Sequence, residues 1–187
     1  MIQDYLESVI KQFNYYRSLG EKAFAQIPDE ALFKQYNDDS NNIATIVKHL
    51  NGNMLSRWTD FLTSDGEKSW RNRDAEFEND IESREVLMQK WNEGWNLLSD
   101  VLNNLKAEDL NTLIYIRNEG HTVAEAINRQ LCHYPYHVGQ IVYIAKMYAD
   151  EDWKTLSIAK GNSKDYNAGK FEKPKHKGHF TDLETTK

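Results

Sequence analysis

HTVAEAINRQLCHYPYHVGQIVYIAK, residues 121–146, holds the clearest helix start in the chain and two histidines one helical turn apart. Thr122 and Glu125 have the spacing of a capping box, in which each side chain satisfies a backbone N–H that the first turn leaves free. From there Ile127, Leu131, Tyr134, Val138, Ile141, Val142, Ala145 and Tyr148 recur every three or four residues. That period predicts one long amphipathic helix running to about Tyr148. Such a helix draws most of its stability from burying its apolar stripe, so the rest of the chain has to supply partners.

Those partners are legible upstream. Leu113-Ile114-Tyr115-Ile116, turning through Asn118-Glu119-Gly120, is the one passage with strand character. It predicts a short extended segment or hairpin before the last helix. Leu87, Trp91, Trp95, Leu98, Val101, Leu102 and Leu105 form the buried side of a third helix, capped by Ser83 with Glu85 in its first turn. Ile43, Ile46, Val47, Leu50, Met54, Trp58, Phe61 and Leu62 mark a second helix that stops near Ser64-Asp65-Gly66. The first carries Ile2, Tyr5, Leu6, Val9, Ile10, Phe13 and Tyr16, and Pro28 with the polar run 37–42 separates the two. In the charged linker from Glu67 to Asn79, Trp70 and Phe77 are expected to pin the chain to the core.

Four long amphipathic helices imply an all-α four-helix bundle over residues 1–150. Periodicity alone leaves the helix order open. Residues 151–187 read as a loop-rich C-terminal extension, partly packed to about 171 and a mobile tail beyond.

A chain of 187 residues and 21.9 kDa suits one domain plus such an extension. Lys and Arg number 23 against 29 Asp and Glu, a net charge of −6. Eight lysines against six acids make residues 151–187 +2, which leaves −8 on the preceding 150. An acidic body argues against nucleic acid as a partner, since phosphate binding needs a dense positive face. No run approaches the apolar length of a membrane span. MIQDYLESVIKQF has acids inside its apolar repeat and lacks the layout of a signal peptide. One cysteine, Cys132, excludes an intrachain disulfide and a thiolate zinc cluster, and a cytoplasmic protein is expected.

Three of the six histidines fall inside predicted helices: His49, His133 and His137. His133 and His137 stand about 40° apart on the helical wheel and face one way, as two imidazoles sharing an ion must. The pair lies roughly 90–130° to one side of its apolar stripe, and His49 lies a similar angle to the same side of its own. The three therefore converge in a polar cleft on one flank of the bundle. On spacing alone, a solvated or hydrogen-bonded flank remains the commoner reading of such histidines. The pair lacks the glutamate of H-E-x-x-H, so a metalloprotease is not supported. Pro135, between the two histidines, either kinks the helix and re-aims the rings or is simply tolerated. Asn53, Arg57, Arg129 and Gln140 lie within two turns of the histidines. They are candidates for fixing imidazole tautomers or holding an anionic substrate, or else belong to a solvated edge.

A histidine in the second helix followed by His-x-x-x-His in the fourth resembles the DinB/YfiT-like superfamily of four-helix-bundle metalloproteins. The closer resemblance is to a Bacillus-type branch catalogued as a domain of unknown function. It is carried by KHLNGNMLSRWTDFLTSDGEKSWRNRDAEF (48–77), WNEGWNLL (91–98), HTVAEAINRQLCHYPYHVGQIVYIAK (121–146) and WKTLSIAKGNS (153–163), and spans residues 2–170. The resemblance implies an up-down-down-up bundle in which His49, His133 and His137 bind one divalent ion, nickel or zinc. Some relatives are thiol-dependent S-transferases or isomerases that use bacillithiol, mycothiol or glutathione. A metal-dependent transferase acting on a small molecule, with Arg57 or Arg129 orienting an anionic group, is the expectation. The alternative is a non-enzymatic homodimeric stress or scaffold protein with a structural metal, in which Trp58, Trp91 and Trp95 serve core or interface.

Other residues read more plainly. Cys132 points about 100° away from His133 and is taken for a packing cysteine. His121, in the turn that opens the last helix, is expected to make a structural hydrogen bond. His176 and His179 belong to the lysine-rich tail, and Lys160-Gly161-Asn162-Ser163 forms a turn with weak anion-binding character.

Overall fold

Each strong cap in the sequence starts a helix. Thr122 Oγ1 accepts from Glu125 N at 3.2 Å while Thr122 N donates to Glu125 Oε2 at 2.7 Å. Ser83 Oγ accepts from Val86 N, and Asn42 Oδ1 accepts from Thr45 N. The computed structural model describes residues 2–185 and is mostly helical. In chain order its elements are α1 (Ile2–Phe24), α2 (Asp29–Phe33), α3 (Ile43–Trp58), α4 (Arg84–Asn104), a hairpin of β1 (Leu113–Ile116) and β2 (Glu119–Thr122), α5 (Val123–Tyr148) and α6 (Ser163–Phe171), joined by short 3-10 turns. Among the described residues, no helix is long and apolar enough to cross a membrane.

Side-chain contacts give the helix directions. Tyr5 of α1 donates to Asn128 of α5, and Phe13 packs on Tyr134, so α1 and α5 run side by side the same way. Asn51 bonds the Lys90 carbonyl and Met54 faces Gly94, so α3 and α4 are parallel as well. Phe24 meets Trp91 while Phe13 meets Trp95, which sets α4 against α1. The chain entering α3 at residues 40–41 lies beside Ile144 and Tyr148, whereas His49 meets His133 and His137; α3 thus opposes α5. Trp58, Trp91 and Trp95 are all buried and belong to the core, not to an interface.

The structure corrects several expectations. A short helix, α2, follows Pro28 and buries Ala31 and Leu32. Helix α3 ends at Trp58, not near Ser64. Thr59 is extended, and Asp60 takes φ 48° while its carbonyl accepts from the N–H groups of Thr63 and Ser64. Phe61 reaches the core and packs against the Trp58 ring from this turn, which is why its spacing mimics one more helical turn. Trp70 is 58% exposed and does not enter the core. Cys132 is exposed, so it is not a packing cysteine. The Nε2 of His121 is buried without any hydrogen-bond partner.

The hairpin has the register Leu113↔Thr122 to Ile116↔Glu119. Arg117 and Asn118 turn it with φ 57° and 61°, as a two-residue primed turn requires. The Asp65 carboxylate accepts both of their N–H groups at 2.9 Å, and Gly66 N donates to the Tyr115 carbonyl. These bonds anchor the start of the 67–79 linker. After α5, Trp153 and Leu156 pack on the core, whereas α6 buries none of its residues. Further on, Lys177, His179 and Phe180 touch Asp4, Ser8 and Tyr15 of α1. Helix α5 itself runs unbroken through Pro135.

Candidate metal centre

His49 lies on α3 and is buried, and His133 and His137 face it from successive turns of α5. One nitrogen from each ring falls within a 4.8 Å cluster. His133 Nε2 stands 3.3 Å from His49 Nε2 and 3.1 Å from His137 Nε2. Among the described residues no other group of three His, Cys, Asp or Glu side chains gathers in this way.

The second nitrogen of every ring meets a side-chain oxygen. His49 Nδ1 is 2.9 Å from Glu76 Oε2, His133 Nδ1 is 3.2 Å from Gln130 Oε1, and His137 Nδ1 is 2.8 Å from Gln140 Oε1. Carboxylate and amide oxygens only accept, so each Nδ1 carries its proton and donates. Three Nε2 lone pairs are left aimed at one another, an arrangement that repels unless a cation sits between them. Bonds of about 2.0–2.1 Å to a tetrahedral ion place imidazole nitrogens about 3.3 Å apart, close to the two spacings from His133 Nε2 to His49 Nε2 and His137 Nε2. The donor set fits a single divalent ion of borderline softness.

Electrostatics points the same way. Burial, then the neighbouring imidazoles and Arg129, push His133 down to about 3, and burial also lowers His137. Both rings are therefore neutral at pH 7, the form that ligates metal. Burial alone raises the Glu76 carboxyl, but its bonds to His49 and Arg71 outweigh this and hold it below the usual carboxylate range.

Glu76 comes from the end of the linker and is held from behind. Arg71, with its side chain 2% exposed, donates from Nε to Oε1 at 2.7 Å and from Nη2 to Oε2 at 3.0 Å. Arg71 and Arg57 both bond Glu67 Oε2, at 3.2 and 2.9 Å. Phe77, the next residue, stacks on the His49 ring with centroids 4.9 Å apart. It does pin the linker, but onto the site and not onto the apolar core.

The sequence candidates divide accordingly. Gln140 orients His137 and also donates to the Tyr136 hydroxyl. Arg57 is buried and bonds the Gly66 carbonyl as well as Glu67, so it is no free cation beside the histidines. Asn53 is buried and accepts from the Tyr134 hydroxyl. Arg129 is exposed one turn before His133, close enough for its charge to depress that ring's pKa. Glu76, Arg71 and Gln130 escaped the sequence reading. Gln130 had a signal there: Q-x-x-H-x-x-x-H-x-x-Q over residues 130–140 places each glutamine three residues from its histidine, on the same helix face.

The protein is mostly helical, and two opposed helices bring three oriented imidazoles together in one cluster. The chain belongs to the family described as protein of unknown function DUF1572, which it matches over residues 1–162. That range includes every residue of the histidine cluster and its supports. None of the curated proteins matches the chain.

Proposed function

We propose that His49, His133 and His137 hold one divalent ion, zinc or nickel, in a metal-dependent enzyme of the DinB-like kind. The observation that carries this reading is that every Nδ1 is held by a side-chain oxygen while the three Nε2 atoms meet. The parallel α1–α5 and α3–α4 pairs, opposed to each other, support the up-down-down-up arrangement of that superfamily.

When bound, the ion supplies a Lewis acid that lowers the pKa of a thiol or water at a position the three imidazoles leave open. The protein's own groups do the rest. Glu76 places a negative charge behind His49, fixing the orientation of that ring and offsetting part of the ion's charge. Gln130 and Gln140 fix the other two rings without adding charge. Phe77 covers His49 from one side. Arg129, exposed beside His133, is free to steer an anionic substrate or cosubstrate. Cys132 is exposed and its sulfur is absent from the cluster, so a sulfur nucleophile has to come from a low-molecular-weight thiol. The reaction class is S-transfer to a small electrophile: a carbon–sulfur bond forms as the leaving group departs with its bonding pair.

Metal analysis of protein purified without a His-tag tests the site. The expected result is one equivalent of metal, lost in His49→Ala, His133→Ala and His137→Ala. Wild-type metal content in all three variants would refute it. Thiol-transfer assays over a panel of electrophiles, with zinc or nickel added, test the activity. A metal-loaded protein without turnover would instead favour a scaffold protein with a structural ion.

A further inference from the structure

A second feature lies further along α5, where the chain leading into α3 passes beside it. An open groove of about 350 Å³ is walled by Tyr143, Ile144, Met147 and Tyr148 of α5 and closed by Lys34 and Tyr36 from the chain between α2 and α3. That volume is at the lower end of small-molecule sites. Ile144 and Tyr148 stand within about 20° of His137 on the helical wheel, and Ile144 is about 10 Å further along the axis. The groove is therefore in line with the histidine cluster and on its side of the helix.

Its chemistry is specific. Tyr36 and Tyr143 are 77% and 68% exposed and Met147 is half exposed, so rings and a thioether face solvent around the cavity. Large apolar side chains left open in a concave wall are surface that a ligand would cover. The Lys34 ammonium sits 4.9 Å from the centre of the Tyr148 ring and pairs with no carboxylate among the described residues. Asp38 and Asp39, on the neighbouring loop, are not part of the wall. The groove thus offers an apolar, ring-lined bed with one uncompensated positive charge at its edge.

We propose that this groove binds a small aromatic monocarboxylate, its ring against Tyr143 and Met147 and its carboxylate on Lys34. As the seat for the non-reacting end of a substrate, the assignment rests on the metal-centre reading; as a binding site it does not. The test is a titration with 4-phenylbutyrate, followed through the methyl resonances of methyl-labelled methionine. Met147 lines the groove, whereas Met54 is buried and Met88 lies on α4, so these two serve as internal references.

The expected result is a saturable shift of the Met147 methyl with those of Met54 and Met88 unmoved. Lys34→Gln, or the neutral amide of the same acid, should weaken binding about three- to fivefold, the range of one exposed ion pair. Tyr143→Ala should weaken it further, and His49→Ala should leave it unchanged. The last comparison separates the two readings: a His49→Ala protein that keeps its metal refutes the centre while its binding of the acid keeps the groove, whereas lost metal with unchanged binding leaves both standing. No shift of Met147, an equal shift of Met54 and Met88, or equal binding of acid and amide would overturn the proposal. So would a Met147 resonance that follows protein concentration instead of ligand, which would mean that a second copy of the chain covers the groove.

Discussion

Gly52 and Glu76 lie so close that no side chain fits between them: a Cβ on Gly52 would stand 2.7 Å from Glu76 Cδ. A glycine inside a helix gives up about 1 kcal/mol relative to alanine, so α3 forgoes stability where the carboxylate crosses it. Gly52→Ala is expected to keep the helical circular-dichroism spectrum while pushing Glu76 away from His49. Loss of such a support typically lowers metal affinity by about 10–100-fold. Competition against a chromogenic chelator measures it. Affinity within twofold of wild type would show that the Glu76 contact does not position His49. In the double variant with Glu76→Gln the two losses should not add, because both act through one contact.

Glu76→Gln separates charge from shape. The amide still reaches His49, but Arg71 loses its bidentate partner and keeps only Glu67 at 3.2 Å. Breaking a buried pair from one side costs about 3–5 kcal/mol, and the remaining contact argues for the lower end. The pH dependence has a definite sign. The carboxyl's folded pKa lies below its ordinary value of 4.5, so its stabilisation is complete above about pH 4.5 and is lost as pH falls through the folded value. Thermal melts of wild type and variant should therefore differ most near neutrality and converge in acid. A difference that persists undiminished at the lowest pH would contradict the assignment.

How legible the site was follows from the same residues. Helix α5, its capping box, the strand Leu113–Ile116 and the Ser83 cap all express local rules, and each appears at the expected residues, whereas the hairpin turns at Arg117-Asn118 and takes Glu119 and Gly120 into β2. The histidines share a face because i and i+4 must. Glu76 and Arg71 follow no such rule. They sit in an aperiodic linker whose charged composition reads as solvated, and burial of Arg and Glu is rare enough that no pattern announces it. Their placement depends on the Asp65–hairpin contact and on Gly52, long-range relations invisible to periodicity. The end of α3 was missed for a related reason, since Phe61 returns to the core from a turn.

The metal-free protein should show a second, separate pH window. Folded His133 stays neutral down to about 3, whereas the unfolded chain takes up that proton near 6.5. Between those values the unfolded state binds more protons. Stability of the metal-free chain is therefore complete above about pH 6.5 and declines as pH falls towards 3. Urea unfolding at pH 7.5 and at pH 5.2 brackets a range in which Glu76 remains ionised. His133→Gln should flatten the difference between the two, and an unchanged slope would show that His133 is not neutral in the fold.

Tyr134 offers the control that distinguishes packing from chemistry. It lies between the two α5 histidines in sequence, yet its side chain points into the core and is fully buried. Its hydroxyl accepts from Trp58 Nε1 at 2.9 Å and donates to Asn53 Oδ1 at 3.1 Å. Burial pushes its pKa well above the ordinary tyrosine value, so it is a neutral donor throughout the working range. Tyr134→Phe strands one buried donor and one buried acceptor, a loss of about 1–3 kcal/mol in chemical denaturation. None of the three imidazoles bonds that hydroxyl, so metal affinity should stay within about twofold of wild type, less than 0.5 kcal/mol. If affinity instead falls tenfold, the ligands are held by the core network beneath them and not by Glu76, Gln130 and Gln140, and the roles assigned to those three would have to be withdrawn.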